Sequence, residues 1–159
     1  DALATAVGKV FAKIKEPAGS DPAARADIEP AKSTLSTARI DAALGQKGDL
    51  GNGVYKITIG RSTRMHGDAA GKTMGVNTWA AFAGSDEQAV VDGDFAMLEN
   101  ELQPVLKALR HAGINVVAIH QHMTGEEPRI LFLHYWGIGT AESLARGLRS
   151  ALDVTAQGR

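Results

Sequence analysis

The sequence predicts an α+β fold: a mostly antiparallel sheet packed by helices and preceded by an N-terminal helical arm. Three observations carry that expectation. Stretches within residues 53–137 alternate apolar with polar side chains, or run apolar over strand length, between turn signals. Residues 99–113 and 140–154 carry apolar side chains at helical spacing. Strands and helices are interspersed through short turns, without the strict alternation a parallel sheet would need.

The bulk numbers suit one domain. A chain of 159 residues that is 44% hydrophobic and 22% charged can bury a real core and reads as soluble and globular. A net charge of -1 leaves no basic face large enough to hold a phosphate backbone, so nucleic acid is not an expected partner. No apolar run is long enough for a transmembrane segment. With no cysteine there is neither disulfide nor thiolate, so any metal must be held by His, Asp or Glu.

Taken in order, "DALATAVGKVFAKIKE" puts Leu3, Val7, Val10, Phe11 and Ile14 on one stripe, with Lys9, Lys13 and Lys15 mostly outside it. That predicts an amphipathic helix over 2–16. "PAGSDPAARADIEPAKST" holds Pro17, Pro22 and Pro30 and few large apolar groups, and reads as a linker or extended arm on the surface. Residues 1–34 are thus a helix and a Pro-rich arm, through which a homo-oligomer could form. Residues 35–159 are a single α+β domain. The start at Asp1, with no Met and no signal peptide, fits a terminus left by cleavage or a trimmed chain.

Within the domain, "STARIDAALGQKG" is a short helix closed by Gly45. "GVYKITIGR" sets Tyr55, Ile57 and Ile59 against Val54, Lys56 and Thr58, a half-buried strand. "GVNTWAAFAG" and "QAVVDGDFAML" are two more strands. "ENELQPVLKALRHAG" is a helix with Leu98, Leu102, Val105, Leu106 and Leu109 as its stripe, Asn100 with Gln103 as its capping pair, and Gly113 at its end. "INVVAIHQHM" and "RILFLHYWG" are strands around a six-residue connection. "TAESLARGLRSALDV" is the last helix, capped by Thr140, with Leu144, Leu148, Ala151 and Leu152 inward.

Three of the five histidines lie in the last two strands, where Val or Ile would pack better. His120 and His122 are two apart, so both face one way, together with Ile114, Val116 and Ala118. His134 shares a face with Ile130, Phe132 and Trp136. If the two strands pair, about 4.8 Å apart, all three rings converge, and nitrogens about 2.1 Å from a metal can bridge that gap. Three buried imidazoles without partners would cost several kcal/mol. The pattern therefore points to a divalent metal, with a hydrogen-bonded histidine network as the plainer alternative. Glu126 could complete the shell. Glu101 is the rival carboxylate, although its place near a helix start is explained equally well by the helix dipole. Glu99 is a weaker candidate. His111 in the last turn of a helix, and His66 in "STRMHGD", are read as non-ligands.

Other signals are set aside. "GDAAGKT" has one residue too few between its first Gly and the Gly-Lys pair for a phosphate loop, and extended sequence follows it. Asp92 and Asp94 in "VDGDF" could hold a cation, but a strand-to-loop exit accounts for them. No G-x-S-x-G elbow and no cysteine supplies a covalent nucleophile.

H-x-H-x-x-x-E over His120, His122 and Glu126 resembles the first metal motif of cupins, but the helix at 99–112 does not suit a small jelly roll. From about Ala38 to Asp153 the chain more broadly resembles the LppY/LpqO-type family of bacterial proteins. The resemblance rests on "GVNTWAAFAG", "AVVDGDFAMLENELQPVLKALRHAGINVVAIHQHM" and "EEPRILFLHYWG". It carries the family's H-x-H, its Glu-x-Pro turn and its later His onto His120, His122, Glu126 with Pro128, and His134. It carries a G-D-x-x-x-x-E-x-E-x-x-P stretch onto Gly93, Asp94, Glu99, Glu101 and Pro104. It implies export, periplasmic or secreted, and supplies no reaction.

The expectation is a metal-binding domain with His120, His122, His134 and Glu126 as ligands, and Glu126 or Glu101 as the catalytic carboxylate. Trp136 and Phe132 would wall the pocket. Zinc is the first choice of metal, with manganese, iron, nickel and copper as alternatives, and the ligand is a small molecule. A metal-dependent hydrolase or lyase is the enzyme reading, and a non-catalytic binding module the alternative.

Overall fold

The computed structural model describes residues 2–15 and 27–156. An α+β architecture results, with four α-helices and nine strands among the described residues. The main sheet is antiparallel, in the order β1 (Asp49–Gly51), β2 (Val54–Gly60), β5 (Asn77–Gly84), β6 (Ala89–Leu98), β9 (Ile130–Gly139), β7 (Asn115–His120). A second sheet is built from three short strands, β4 (Asp68–Ala70), β3 (Thr63–Met65) and β8 (Glu126–Glu127). The helices are α1 (Ala2–Lys15), α2 (Thr37–Leu44), α3 (Leu102–His111) and α4 (Ala141–Asp153).

Alternation sorts the main sheet into two faces. Tyr55, Ile57, Phe82, Val91, Phe95, Leu133 and Tyr135 point one way and meet Ile40 and Leu44 of α2, Val105 and Leu109 of α3, and Leu144 and Leu148 of α4. All are at most 3% exposed, and each such side chain contributes about 1.5–3 kcal/mol by leaving water. The other face is covered only in part. The small sheet packs there through Ala70, which joins Val76, just before β5, in a cluster with Ala96, Ile130 and Phe132.

The caps follow sequence chemistry. Gly45 ends α2 in the left-handed conformation, at φ 72°. Thr140 Oγ1 accepts from Ser143 N at 3.1 Å at the start of α4. At α3 the expected Asn100–Gln103 pair is not the device. A 3-10 turn, Glu99–Glu101, leads in, and Glu101 Oε2 accepts from Leu98 N at 2.7 Å.

Three expectations need correction. The strand holding His120 stops there, and His122 lies in the connection that follows. That connection runs from 121 to 129 and contains β8, which leaves the hairpin to pair with β3. Finally, a bulge interrupts β7: Val116 lies opposite Tyr135 and Ala118 opposite His134, so residue 117 is the extra one. Val116 therefore joins the helix-covered core, while Ala118 and His120 take the opposite face.

Packing onto the sheet also begins before Leu35. Thr34 N donates to Gly84 O at 2.8 Å, and Gly84 N donates to Ser33 Oγ at 3.0 Å. Gly53, at φ 76°, passes so close to the Pro30 carbonyl that a Cβ could not fit. In α1 the stripe residues Leu3, Val7, Val10 and Phe11 are all exposed. Residue 16 and most of the expected arm, 17–26, lie outside the described residues.

Gly93 of β6 has no room above it. The Tyr135 ring lies across it, and the hydroxyl donates to Trp79 O at 2.8 Å, two strands away. A Cβ on Gly93 would overlap the Tyr135 phenol. Gly93→Ala is expected to cost about 1–3 kcal/mol through forced displacement of that ring. Urea unfolding checks this, and an unchanged midpoint would contradict it.

Candidate metal centre

The long ladder between β6 and β9 sets the site. Asp94 lies directly opposite His134, and Ala118 of β7 flanks His134 on the other side. His120 follows two residues later on the same face. His122, beyond the strand end, is held by stacking, its ring 3.5 Å centroid to centroid from Phe132 and tilted by 12°. The three imidazoles do converge. His120 Nε2 and His122 Nε2 are 3.0 Å apart, and the His120 and His134 rings stack at 4.6 Å.

What the sequence reading set aside is the carboxylate beneath them. Asp94 is 2% exposed. Its Oδ2 lies 3.9 Å from His122 Nε2, and its Oδ1 lies 4.0 Å from His134 Nδ1. Among the described residues, Asp94, His120 and His122 form the group whose ligand atoms all lie within 4.8 Å of one another. Asp92 of the same pair is exposed. The missed signal was the strand itself. With Val91, Gly93 and Phe95 facing the helices, Asp92 and Asp94 must share the other face, and the ladder puts Asp94 opposite a histidine.

Electrostatics at this spot conflict. Burial pushes the Asp94 carboxyl up from its ordinary range, while His134, His120 and His122 and a backbone hydrogen bond from Leu133 pull it down. The net shift is upward. Burial lowers the His122 pKa; Asp94 opposes the shift, and His120 and His134 add to it. Two buried atoms, Asp94 Oδ1 and His120 Nδ1, have no hydrogen-bond partner. Such orphans are uncommon in folded proteins and call for an explanation.

A cation supplies one. Two ligands at tetrahedral angles about 2.1 Å from a metal would be about 3.4 Å apart. The observed separations of 3.0 and 3.9 Å lie on either side of that value. Two imidazoles and a carboxylate make a donor set that zinc, iron or manganese accepts. The side chains of His122 and His134 are 39% and 42% exposed, so the group faces solvent on one side.

The remaining site residues of the sequence reading have other surroundings. Glu126 is buried in β8 opposite Met65, and its Oε1 accepts from Ile130 N at 3.3 Å. It is not one of the three clustered residues. Glu101 is buried and fully engaged: Arg61 Nη1 lies 2.7 Å from Oε2, Ala156 N donates to Oε1 at 2.8 Å, and Leu98 N donates to Oε2. It ties the start of α3 to the end of β2 and to the C-terminal segment. His111 is exposed in the last turn of α3. His66 turns the β3–β4 hairpin at φ 52° and lies beside Gly125 of the 121–129 connection.

Fold and site together define an α+β domain carrying an Asp/His/His group that could hold a metal ion. By sequence the chain belongs to the family described as Domain of Unknown Function (DUF1259), which it matches over residues 38–154. No curated protein and no solved structure matches it.

The Glu101 cluster sets an acid limit on the fold. Burial alone would raise the Glu101 pKa, but the hydrogen bonds from Arg61, Ala156 and Leu98 outweigh it and hold the carboxyl below its ordinary range. A depressed folded pKa adds stability above the unfolded value, and that contribution is lost as pH falls through the folded one. Stability is therefore expected to decline as pH drops below the ordinary glutamate range, and Glu101→Gln should flatten that part of the profile. Arg61→Ala, which strands the buried carboxylate, should cost about 3–5 kcal/mol at neutral pH. Chemical denaturation across pH measures both.

Proposed function

We propose that this chain is a metal-dependent enzyme domain acting on a small molecule. Asp94, His120 and His122 would hold one divalent ion, with His134 at the edge of the shell. One observation supports this above the rest: the buried Asp94 Oδ1 has no partner and lies under three imidazoles. The exposed edges of His122 and His134 favour a site that water or a substrate can reach, and so favour catalysis over a closed structural site.

A divalent ion held there would supply Lewis-acid chemistry, polarising a substrate oxygen or acidifying a water, as hydrolases and lyases require. The chain's own residues would do the rest. Asp94 offsets the positive charge from below. Phe132 fixes the plane of the His122 ring. Glu126 supports the connection that carries His122 by holding Ile130 N. Zinc stays the first choice, and the carboxylate widens the fit to iron and manganese. The LppY/LpqO resemblance also supports a periplasmic or secreted location, which cell fractionation would test.

Protein prepared without a nickel column should contain about one divalent ion per chain by elemental analysis. Asp94→Asn and His122→Ala should each lower metal affinity by tenfold or more, that is by about 1.4 kcal/mol or more. Full metal content in His122→Ala would end the proposal. Cobalt-substituted protein should show a spectrum that shifts with added azide, because an open position takes an exogenous ligand. A spectrum indifferent to azide would mark a saturated, non-catalytic site.

A further inference from the structure

One helix serves neither core. α1 (Ala2–Lys15) contributes none of its described side chains to the helix-covered core or to the cluster beside the small sheet. Residues 2–12 are all exposed. Leu3, Val7, Val10 and Phe11 are each at least 45% exposed. At about 100° per residue these four positions fall within an arc of about 100°, a stripe wide enough to bury against something apolar.

The charge on α1 decides what the stripe suits. The helix carries Lys9, Lys13 and Lys15 and no Asp or Glu; Asp1 and Glu16 stand outside its two ends. Position 9 falls opposite the stripe, and positions 13 and 15 fall on its two flanks. A second copy of α1 would bring three more lysines and no carboxylate to pair with them. The apolar groove between α3 and α4 is no better. Pro104, Ala108, Ala112 and Val154 line it, and it offers Lys107 but no carboxylate. A bilayer surface with anionic headgroups supplies what both lack: hydrocarbon for the stripe, and negative charge for the lysines beside it. At 1.5 Å per residue the 14 residues of α1 span about 21 Å, short of a hydrocarbon core of about 30 Å. No helix among the described residues is long and apolar enough to cross a membrane. On a bilayer, α1 would lie flat.

We infer that α1 is an interfacial anchor: Leu3, Val7, Val10 and Phe11 enter the headgroup–acyl boundary of an anionic bilayer, and the flanking lysines hold the helix to its headgroups. One short helix with three lysines gives weak, reversible binding. Salt releases it, because exposed charges are screened beyond about 8 Å at physiological ionic strength. The α+β domain, with its metal group, stays in water. This role is independent of the metal reading.

Vesicle sedimentation of the full chain tests it. The probes are vesicles of phosphatidylcholine alone, and of phosphatidylcholine and phosphatidylglycerol in equal parts, at low salt. The protein should sediment with the anionic vesicles, far less with the neutral ones, and leave the anionic ones as salt is raised. Lys13→Ala and Lys15→Ala should each weaken binding about fivefold, the factor that a lysine near an anionic surface contributes. Leu3→Ser combined with Phe11→Ser should weaken it by about tenfold or more. Thermal melts of these variants should match the parent, since α1 lies outside both cores. No sedimentation with anionic vesicles overturns the inference. So does equal binding to neutral vesicles, or binding that survives the Leu3→Ser and Phe11→Ser pair. Light scattering that shows a dimer, split by that same pair, assigns the stripe to a second copy and overturns it too. Metal content, measured separately, bears on the metal reading alone.

Discussion

From Ala89↔Gly139 to Leu98↔Ile130, β6 and β9 pair without a break, and this ladder decides what every neighbouring element can do. Side chains alternate with a period of two, so one register assigns Phe95, Leu133 and Tyr135 to the helices and Asp94 and His134 to the opposite face. A slip by one residue would drive the carboxylate and the imidazole into the core and put the aromatic groups in water. The apolar surface on the helix side is large enough to forbid that slip. The polar pair is thus held in place by the packing behind it rather than by its own contacts.

That division of labour explains how an unfavourable group survives. Burying a carboxylate costs free energy unless it is paired or hydrogen-bonded. At Glu101 the cost is offset locally by an Arg61 ion pair and two backbone donors. At Asp94 it is not: one oxygen is left without a partner, and the nearest imidazole nitrogens are 3.9 and 4.0 Å away. The two buried acids differ in kind. One is a finished structural joint. The other belongs, with His120 and His122, to a group that could hold a metal ion.

Sequence alone made much of this legible, and the limits have physical causes. Tyr55 and Ile57, the stripe of α3 and the Thr140 cap follow from period and capping chemistry, which act over a few residues. That His120 and His134 meet could be read from strand adjacency, but His122 joins them from the connection beyond β7 by stacking on Phe132, which strand parity does not give. The bulge at Val117 could not be read, since an extra residue in an edge strand is fixed by its partner and not by its own composition. The small sheet was missed because strands of two or three residues carry no period. Asp94 was passed over because its significance lies in what sits across the ladder, forty residues later in the chain. Glu126 was chosen by its spacing from His122 and Glu101 as a rival carboxylate near a helix start, and the structure gives the first a backbone partner and the second an ion pair with backbone donors.

The bulge and the wandering connection then acquire a purpose. A regular hairpin would keep His122 on the strand, about two residues further along the face than His120 and further from Asp94. Ending β7 at His120 lets the chain turn, and the Phe132 ring catches the His122 imidazole and brings its Nε2 to 3.0 Å from that of His120. The chain then leaves to form β8 against β3, where Glu126 and the Thr63 hydroxyl, 2.6 Å from Pro128 O, secure it. Two of the clustered donors stand on rigid strands and the third on a tethered loop. An ion bound by all three would cross-link loop to sheet, so metal occupancy and the order of the 121–129 segment must rise and fall together.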